Sequence, residues 1–212
     1  MKEKTMKLKK TLLSLVVLAF GVLLAGSAFA DAFLDFGTGN AGAVGSITSL
    51  GGGNYSRSGI AIDDLVVIGA PHDNGNYFPL SGTAGGKFAS LSFNTKTDTF
   101  SIVGGVPGLG VPKTDTLLSG TILTFTVSHY DHTESIYFTG WDTKDPTLMA
   151  DLGLPVSGWI FSGTVRGIGC GFPYRVDSSD ITDFHPPVPE AASLLLLGSG
   201  LGGLGLHRRF RA

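Results

Sequence analysis

The sequence predicts an all-β protein: a single β-sandwich or jelly-roll-like domain flanked by an N-terminal signal-peptide helix and a C-terminal hydrophobic helix. Three observations predict it. Along residues 31–184, short runs rich in β-branched and aromatic residues recur between Gly, Asn, Asp and Pro punctuation, as strands separated by turns do. No window of a dozen residues in that body sustains a helical period. Nine candidate strands fall in one domain-sized stretch, at residues 32–36, 44–50, 60–68, 88–93, 99–103, 117–130, 135–139, 158–166 and 175–184, and that number favours two packed sheets.

The elements follow in chain order. After the first strand, Gly37-Thr38-Gly39-Asn40-Ala41-Gly42 fits the dinucleotide fingerprint in spacing. That fingerprint requires a helix to begin there. Strand material follows instead, so no dinucleotide site is expected. Gly51-Gly52-Gly53-Asn54, Asp73-Asn74-Gly75-Asn76 and Gly104-Gly105-Val106-Pro107-Gly108 supply the positive-φ and rigid positions of turns. In residues 88–93, Ala89, Leu91 and Phe93 alternate with Phe88, Ser90 and Ser92, the pattern of a strand with one buried face. Residues 94–98 then turn the chain into Thr99-Phe100-Ser101-Ile102-Val103, a hairpin with a five-residue loop. In residues 121–127, Leu123, Phe125 and Val127 alternate with Ile122, Thr124 and Thr126, which reads as a central strand.

Composition narrows the function. Residues 31–190, between the two ends, carry 7 basic against 16 acidic residues, a net of −9, which argues against binding nucleic acid or anionic lipid. The single Cys170 excludes an internal disulfide, so packing must supply stability; within Gly169-Cys170-Gly171 it reads as a small buried hydrophobe. The densest set of ligand-type residues is His129-Tyr130-Asp131-His132-Thr133-Glu134. On a continuous strand, His129 and Asp131 would share one face and His132 and Glu134 the other, so the segment reads as a polar loop rather than a cation site. Asp63-Asp64 and Asp73 match no EF-hand spacing and read as solvated turn carboxylates. No Gly-x-Ser-x-Gly elbow and no P-loop occurs. Neither a cofactor nor a metal site is expected. Tyr55, Tyr77, Phe78, Tyr130, Trp141 and Tyr174 lie in or beside expected loops, and such aromatic faces beside polar side chains are surfaces on which sugar rings stack.

The two ends are the most explicit part of the chain. Lys2, Lys4, Lys7, Lys9 and Lys10 precede an apolar segment at residues 12–26, and Ala28-Phe29-Ala30 follows as a small-x-small cleavage site; together they read as a secretory signal peptide covering residues 1–30. Cleavage after Ala30 by signal peptidase leaves Asp31 first. At the other end, residues 185–190 form a Pro-rich tether, His185-Pro186-Pro187-Val188-Pro189-Glu190, which favours extended backbone. Residues 191–206 are apolar and uncharged, and include five glycines. As a helix they rise about 24 Å, short of the ~30 Å hydrocarbon core. Arg208, Arg209 and Arg211 form a basic stop that keeps this end cytoplasmic. Such a segment enters the bilayer but is a weak permanent anchor, suited to presenting the polar motif before it to a membrane enzyme.

Val188-Pro189-Glu190-Ala191, the run Leu194-Leu195-Leu196-Leu197-Gly198-Ser199-Gly200-Leu201 and the Arg-rich end resemble the PEP-CTERM sorting signal of Gram-negative bacteria. The third motif position, usually proline in that family, is Ala191 here. The resemblance implies that an exosortase, a membrane-embedded cysteine protease, recognises Pro189-Glu190 and removes the tail at 191–212, and that the host makes exopolysaccharide. The expectation is therefore an exported exosortase substrate, transiently anchored in the inner membrane and then held at the cell surface or in the extracellular biofilm matrix. Its body, residues 31–184, is expected to be structural and not an enzyme, with a carbohydrate-binding or adhesin module as the alternative and a glycan-acting hydrolase as the third class.

Overall fold

The computed structural model describes residues 32–39, 45–170 and 173–186. The signal-cleavage residues Ala28 and Ala30, the sorting motif Val188 to Ala191 and the basic stop Arg208, Arg209 and Arg211 lie outside the described residues, as do both expected terminal helices.

Eleven strands are described: β1 (Ala32–Gly37), β2 (Ser46–Gly51), β3 (Asn54–Ile62), β4 (Asp64–Ile68), β5 (Tyr77–Pro79), β6 (Ala89–Asn94), β7 (Thr99–Val103), β8 (Thr116–Tyr130), β9 (Thr133–Lys144), β10 (Ser157–Ile168) and β11 (Tyr174–His185). Every pairing between them is antiparallel. The all-β expectation stands, but the two-sheet sandwich gives way to a closed barrel of eight strands, β10-β9-β8-β7-β6-β3-β2-β11, in which β11 also pairs with β10. The last strand makes the closure. One edge of β11 pairs with β10 over most of its length, while the other takes β2 at Tyr174 and Arg175 and β1 from Asp180 to His185. Beyond β1, β4 and β5 extend the sheet outside the ring. Closure gives each of the eight strands a neighbour on both sides, although β2 meets β11 through only two residue pairs.

Alternation decides which side chains fill the ring. On β9, Glu134, Ile136, Phe138, Gly140, Asp142 and Lys144 are buried at every second position, so polar groups sit at both ends of the strand and aromatic and glycine positions lie between. The middle layer is a cluster of phenylalanines. Phe100 stacks on Phe161 with centroids 4.5 Å apart, and Phe138 lies 5.4 Å from Phe100, 5.7 Å from Phe93 and 6.0 Å from Phe161. Glycine makes room for these rings. A Cβ added at Gly163 would lie 2.5 Å from Phe138 Cε2, and one at Gly140 would lie 2.7 Å from two carbons of the Phe161 ring. Small residues opposite large ones are how a narrow barrel fills its interior. Outward positions carry Ser90, Ser92, Ser101, Ser119, Thr121, Thr139 and Thr143. A polar outside around an apolar inside inverts the pattern of a lipid-embedded barrel. No helix among the described residues is long and apolar enough to cross a membrane.

Several sequence expectations change in the structure. The single strand expected over residues 60–68 is two. Asp63 breaks it: its N–H donates to the Gly37 carbonyl (3.0 Å) and its carbonyl accepts from Leu80 N–H (2.8 Å), so the chain leaves the ring and joins the outer extension. In β8 a bulge between Ile122 and Thr124 shifts the phase. Ile122 turns inward and Leu123, which alternation grouped with Phe125 and Val127 on one face of a central strand, is 59% exposed. The β6–β7 connection is four residues, 95–98, because Asn94 pairs with Thr99; Asn94 Oδ1 accepts from the N–H groups of Lys96 and Thr97 to hold the turn. β11 continues through His185, which is buried against the Trp159 ring, so the barrel includes the first residue of the expected tether. One short helix was not anticipated, α1 (Pro146–Leu152). Its signals are local: Asp145 caps it by accepting from Leu148 N–H at 2.8 Å, Pro146 opens it and Gly153 closes it at φ 69°.

Candidate functional site

Four polar arrangements stand out among the described residues: one on the outside of the barrel, one at each of its ends and one on the outer extension. On the outside, Ser92, Ser101 and Ser119 lie side by side across β6, β7 and β8, and Thr99, Thr121 and Trp141 form the next row across β7, β8 and β9. The serine row and Thr99 line an open groove of about 580 Å³ with Asn94, Ser56 and Arg57. Arg57 Nη1 donates to Ser46 Oγ at 3.4 Å, its Nε is buried without a hydrogen bond, and burial lowers the guanidinium pKa. The groove thus offers hydroxyls, an amide and a guanidinium, all suited to a polyhydroxylated ligand. None of its lining residues is a carboxylate, so the facing pair that glycoside hydrolysis requires is missing there. Trp141 stands two strands from Thr99, roughly 10 Å away at ordinary strand spacing, and 49% exposed. Tyr137, four residues earlier on the same face, is also exposed and was not singled out in the sequence.

The other aromatic candidates divide. Tyr77 and Tyr130 are exposed, but Tyr77 belongs to β5 in the outer extension and Tyr130 to the tip of β8; Phe78 and Tyr174 are buried. All six lie on strands: Tyr55, Trp141 and Tyr174 because β3, β9 and β11 are longer than expected, Tyr77 and Phe78 because β5 was not among the expected strands, and Tyr130 at the expected end of β8.

At the β8–β9 end, the expected polar loop is a hairpin whose connection is only Asp131-His132, with Asp131 at φ 54°. That turn makes His129 and Glu134 cross-strand partners, with Nδ1 and Oε2 4.0 Å apart, where an uninterrupted strand would have separated them. Glu134 is buried, and the hydroxyls of Tyr55 and Tyr174 bond to it; burial first, then this bond and the carboxylate's charge, raise the pKa of both phenols. Asp131 and His132 point elsewhere, paired at 3.6 Å. Among the described residues no three His, Cys, Asp or Glu side chains are arranged to hold a metal ion. Cys170 is exposed, not buried as expected, with Sγ 3.5 Å from His132 Nδ1, because the connection after β10 carries it to the surface.

The opposite end holds the most unusual group. Lys144 on β9 is fully buried between Asp142 of the same strand, which accepts its hydrogen bond, and Asp183 of β11, with Nζ 2.9 Å from Oδ1. Its ammonium also sits 5.0 Å from the centre of the Trp159 ring. All three side chains are sealed from solvent.

On the outer face of the β11-β1-β4 extension, Asp35, Asp64 and Asp180 gather around Gly37. Burial, then a hydrogen bond with Asp180 and the charges of Asp180 and Asp64, push the Asp35 pKa up to about 7. In the unfolded chain this carboxyl ionises near pH 4, so the folded state holds the extra proton between pH 4 and 7 and loses stability as pH rises through that window. The full shift corresponds to roughly 4 kcal/mol, which solvent screening at a half-buried site reduces to about 1 kcal/mol. Asp35→Asn is therefore expected to raise stability by about 1 kcal/mol at pH 8 and to leave it unchanged at pH 3.5, as measured by urea unfolding at the two pH values.

Comparison of the chain with protein-family models, with curated proteins and with solved structures finds no match in any of the three.

Proposed function

We propose that this chain is an exported surface or extracellular-matrix protein, structural rather than catalytic, associated with exopolysaccharide and released from a membrane-held precursor by an exosortase acting at Pro189-Glu190. The terminal motif carries the sorting half of this reading. The observation that carries the other half is the hydroxyl-lined outer groove leading to Trp141, a polar surface without carboxylates on a barrel whose interior is packed with side chains. The test is the intact mass of the protein from the producing strain, with and without its sorting protease. Removal of residues 1–30 in both strains, and loss of the tail only where the protease is present, is the expected result. A C-terminus of unchanged length in both strains would end the processing scheme.

A second reading, a dedicated carbohydrate-binding or adhesin module, is favoured by Trp141 itself, a large aromatic left half-exposed beside a hydroxyl array. Trp141→Ala should then weaken binding to the strain's own polysaccharide at least about tenfold, or ~1.4 kcal/mol, as truncation of an aromatic anchor does. Folding stability should change by less than about 0.5 kcal/mol, because the ring packs no core. Equal retention of variant and parent on a polysaccharide column would remove this reading and leave the structural one.

A further inference from the structure

We propose that Lys144 and Asp183 condense spontaneously into an intramolecular amide that ties β9 to β11 across β10, with Asp142 carrying the protons. The inference rests on the barrel interior alone and is independent of the sorting scheme.

The geometry supplies three things such a reaction needs. The first is proximity: Lys144 Nζ is already 2.9 Å from Asp183 Oδ1, on side chains with no solvent exposure. Groups held this way react as though at ~10⁵ M or more. The second is a proton carrier. Asp142 accepts the hydrogen bond of Lys144 and lies within hydrogen-bonding reach of Asp183, so one carboxyl touches both reacting groups. The third is a neutral acid. An ammonium and a carboxylate do not combine, but burial raises the Asp183 pKa well above its ordinary value, and Asp142 stands ready to take the ammonium's proton. The Trp159 ring covers Nζ on a further side.

The step balances without any co-reactant. Lys144 gives one ammonium proton to the Asp142 carboxylate and becomes a free amine, while Asp183 is present as the acid. Nζ attacks Asp183 Cγ, Asp142 passes its proton to the departing hydroxyl, and Nζ loses its surplus proton to Asp142. One N–C bond forms, one C–O bond breaks and one water leaves; nothing is oxidised or reduced. The product replaces a buried ion pair, whose desolvation is costly, with a neutral amide. Asp183 rather than Asp142 is the acylated partner because Asp142 already accepts the amine's hydrogen bond and serves as the base. The link would fix β11, the strand whose pairing with β10 and β2 closes the ring.

The test uses the full chain as produced by the cell, purified and confirmed folded by far-UV circular dichroism. Its mass under denaturing conditions should fall short of the sequence mass, for whatever termini it carries, by one water, about 18 Da. Trypsin cuts after Lys113, Arg166 and Arg175 but not at an acylated Lys144, so the amide leaves residues 114–166 joined to the peptide that begins at Val176, whereas an unlinked chain is also cut after Lys144 and releases the pieces separately. Lys144→Arg should restore the full mass and separate the peptides. Asp142→Asn should leave a folded protein in which the link fails to form or forms at least about a hundredfold more slowly, the loss typical when a positioned acid–base group is removed. A folded parent of full mass, or a water lost within one linear peptide, would overturn the proposal; an Asp142→Asn protein that links at the parent's rate would overturn the role of Asp142.

Discussion

Gly140→Ala is expected to destabilise the barrel by about 3 kcal/mol, the upper end of what overpacking a filled core costs, and to lower the unfolding midpoint by roughly 6–12 °C for a domain of this size. The reason is specific to this position. A Cβ at Gly140 would lie 2.0 Å from the Thr121 carbonyl oxygen on β8 and 2.7 Å from Phe161 Cε1 and Cζ. The phenylalanine can yield only by breaking its stack on Phe100. The carbonyl can yield only by moving β8 relative to β9, and these strands are paired from Leu118 and Lys144 to Tyr130 and Thr133. Trimming the ring in Gly140→Ala/Phe161→Leu removes one clash and leaves the backbone contact, so calorimetry should show no recovery beyond the parent's stability less about 1 kcal/mol. A Gly140→Ala midpoint within about 2 °C of the parent would mean that β8 and β9 do not approach this closely at Gly140.

The strands of this barrel were mostly legible because one face of each is apolar and the other is not. Ala89, Leu91 and Phe93 show the rule in its simplest form: they alternate in the sequence, and they are buried in the structure. Leu123 shows where the rule stops. Nothing in Ile122-Leu123-Thr124-Phe125 marks the bulge that turns Leu123 outward, since the extra residue is accommodated by the register against β9 and not by local chemistry. Closure was illegible for a related reason. A sandwich strand and a barrel strand have the same period; what distinguishes them here is that β11 pairs with both β10 and β2, a fact of partner choice carried by residues far apart in the chain.

The candidate sites were legible in proportion to their locality. Trp141 could be singled out because it follows closely on the strand expected at 135–139, beside an expected loop. His129 and Glu134 were noticed, but their convergence depends on a two-residue turn that places them opposite each other. The serine row of the groove joins single, unremarkable residues from three strands. Asp142, Lys144 and Asp183 were invisible as a group: the first two look like an ordinary polar strand end, and the third lies two strands away. The signal that does exist is Lys144 itself, a lysine at an inward position of β9, where the alternation of Ile136, Phe138 and Gly140 calls for a buried residue.

That lysine sets the second large effect. Lys144→Met is expected to cost about 3–5 kcal/mol at pH 7, the range found when one partner of a buried ion pair is removed. Methionine fills much of the space, so the loss comes from Asp142 and Asp183, which remain sealed from water with no cation to face. The expectation holds whether Lys144 is an ion-pair partner or has joined Asp183 in an amide, because either bond disappears with it. The sign of the pH dependence follows from the carboxyls. With the ammonium gone, burial holds the folded-state pKa of Asp183 still further above that of the unfolded chain, so the folded variant takes up a proton and its deficit grows as pH rises from about 4 toward 8. Urea unfolding of parent and variant at pH 4.5 and pH 8 should therefore give a gap that is smaller at the lower pH. Adding Asp183→Leu and Asp142→Asn to Lys144→Met removes the charges altogether and should recover at least about 2 kcal/mol at pH 8, since an apolar replacement of a buried ionic group is often neutral or stabilising. If the triple variant remains as unstable as Lys144→Met alone, the cost lies in lost packing or in a lost covalent tie and not in stranded charge, and the mass of the parent protein decides between those two.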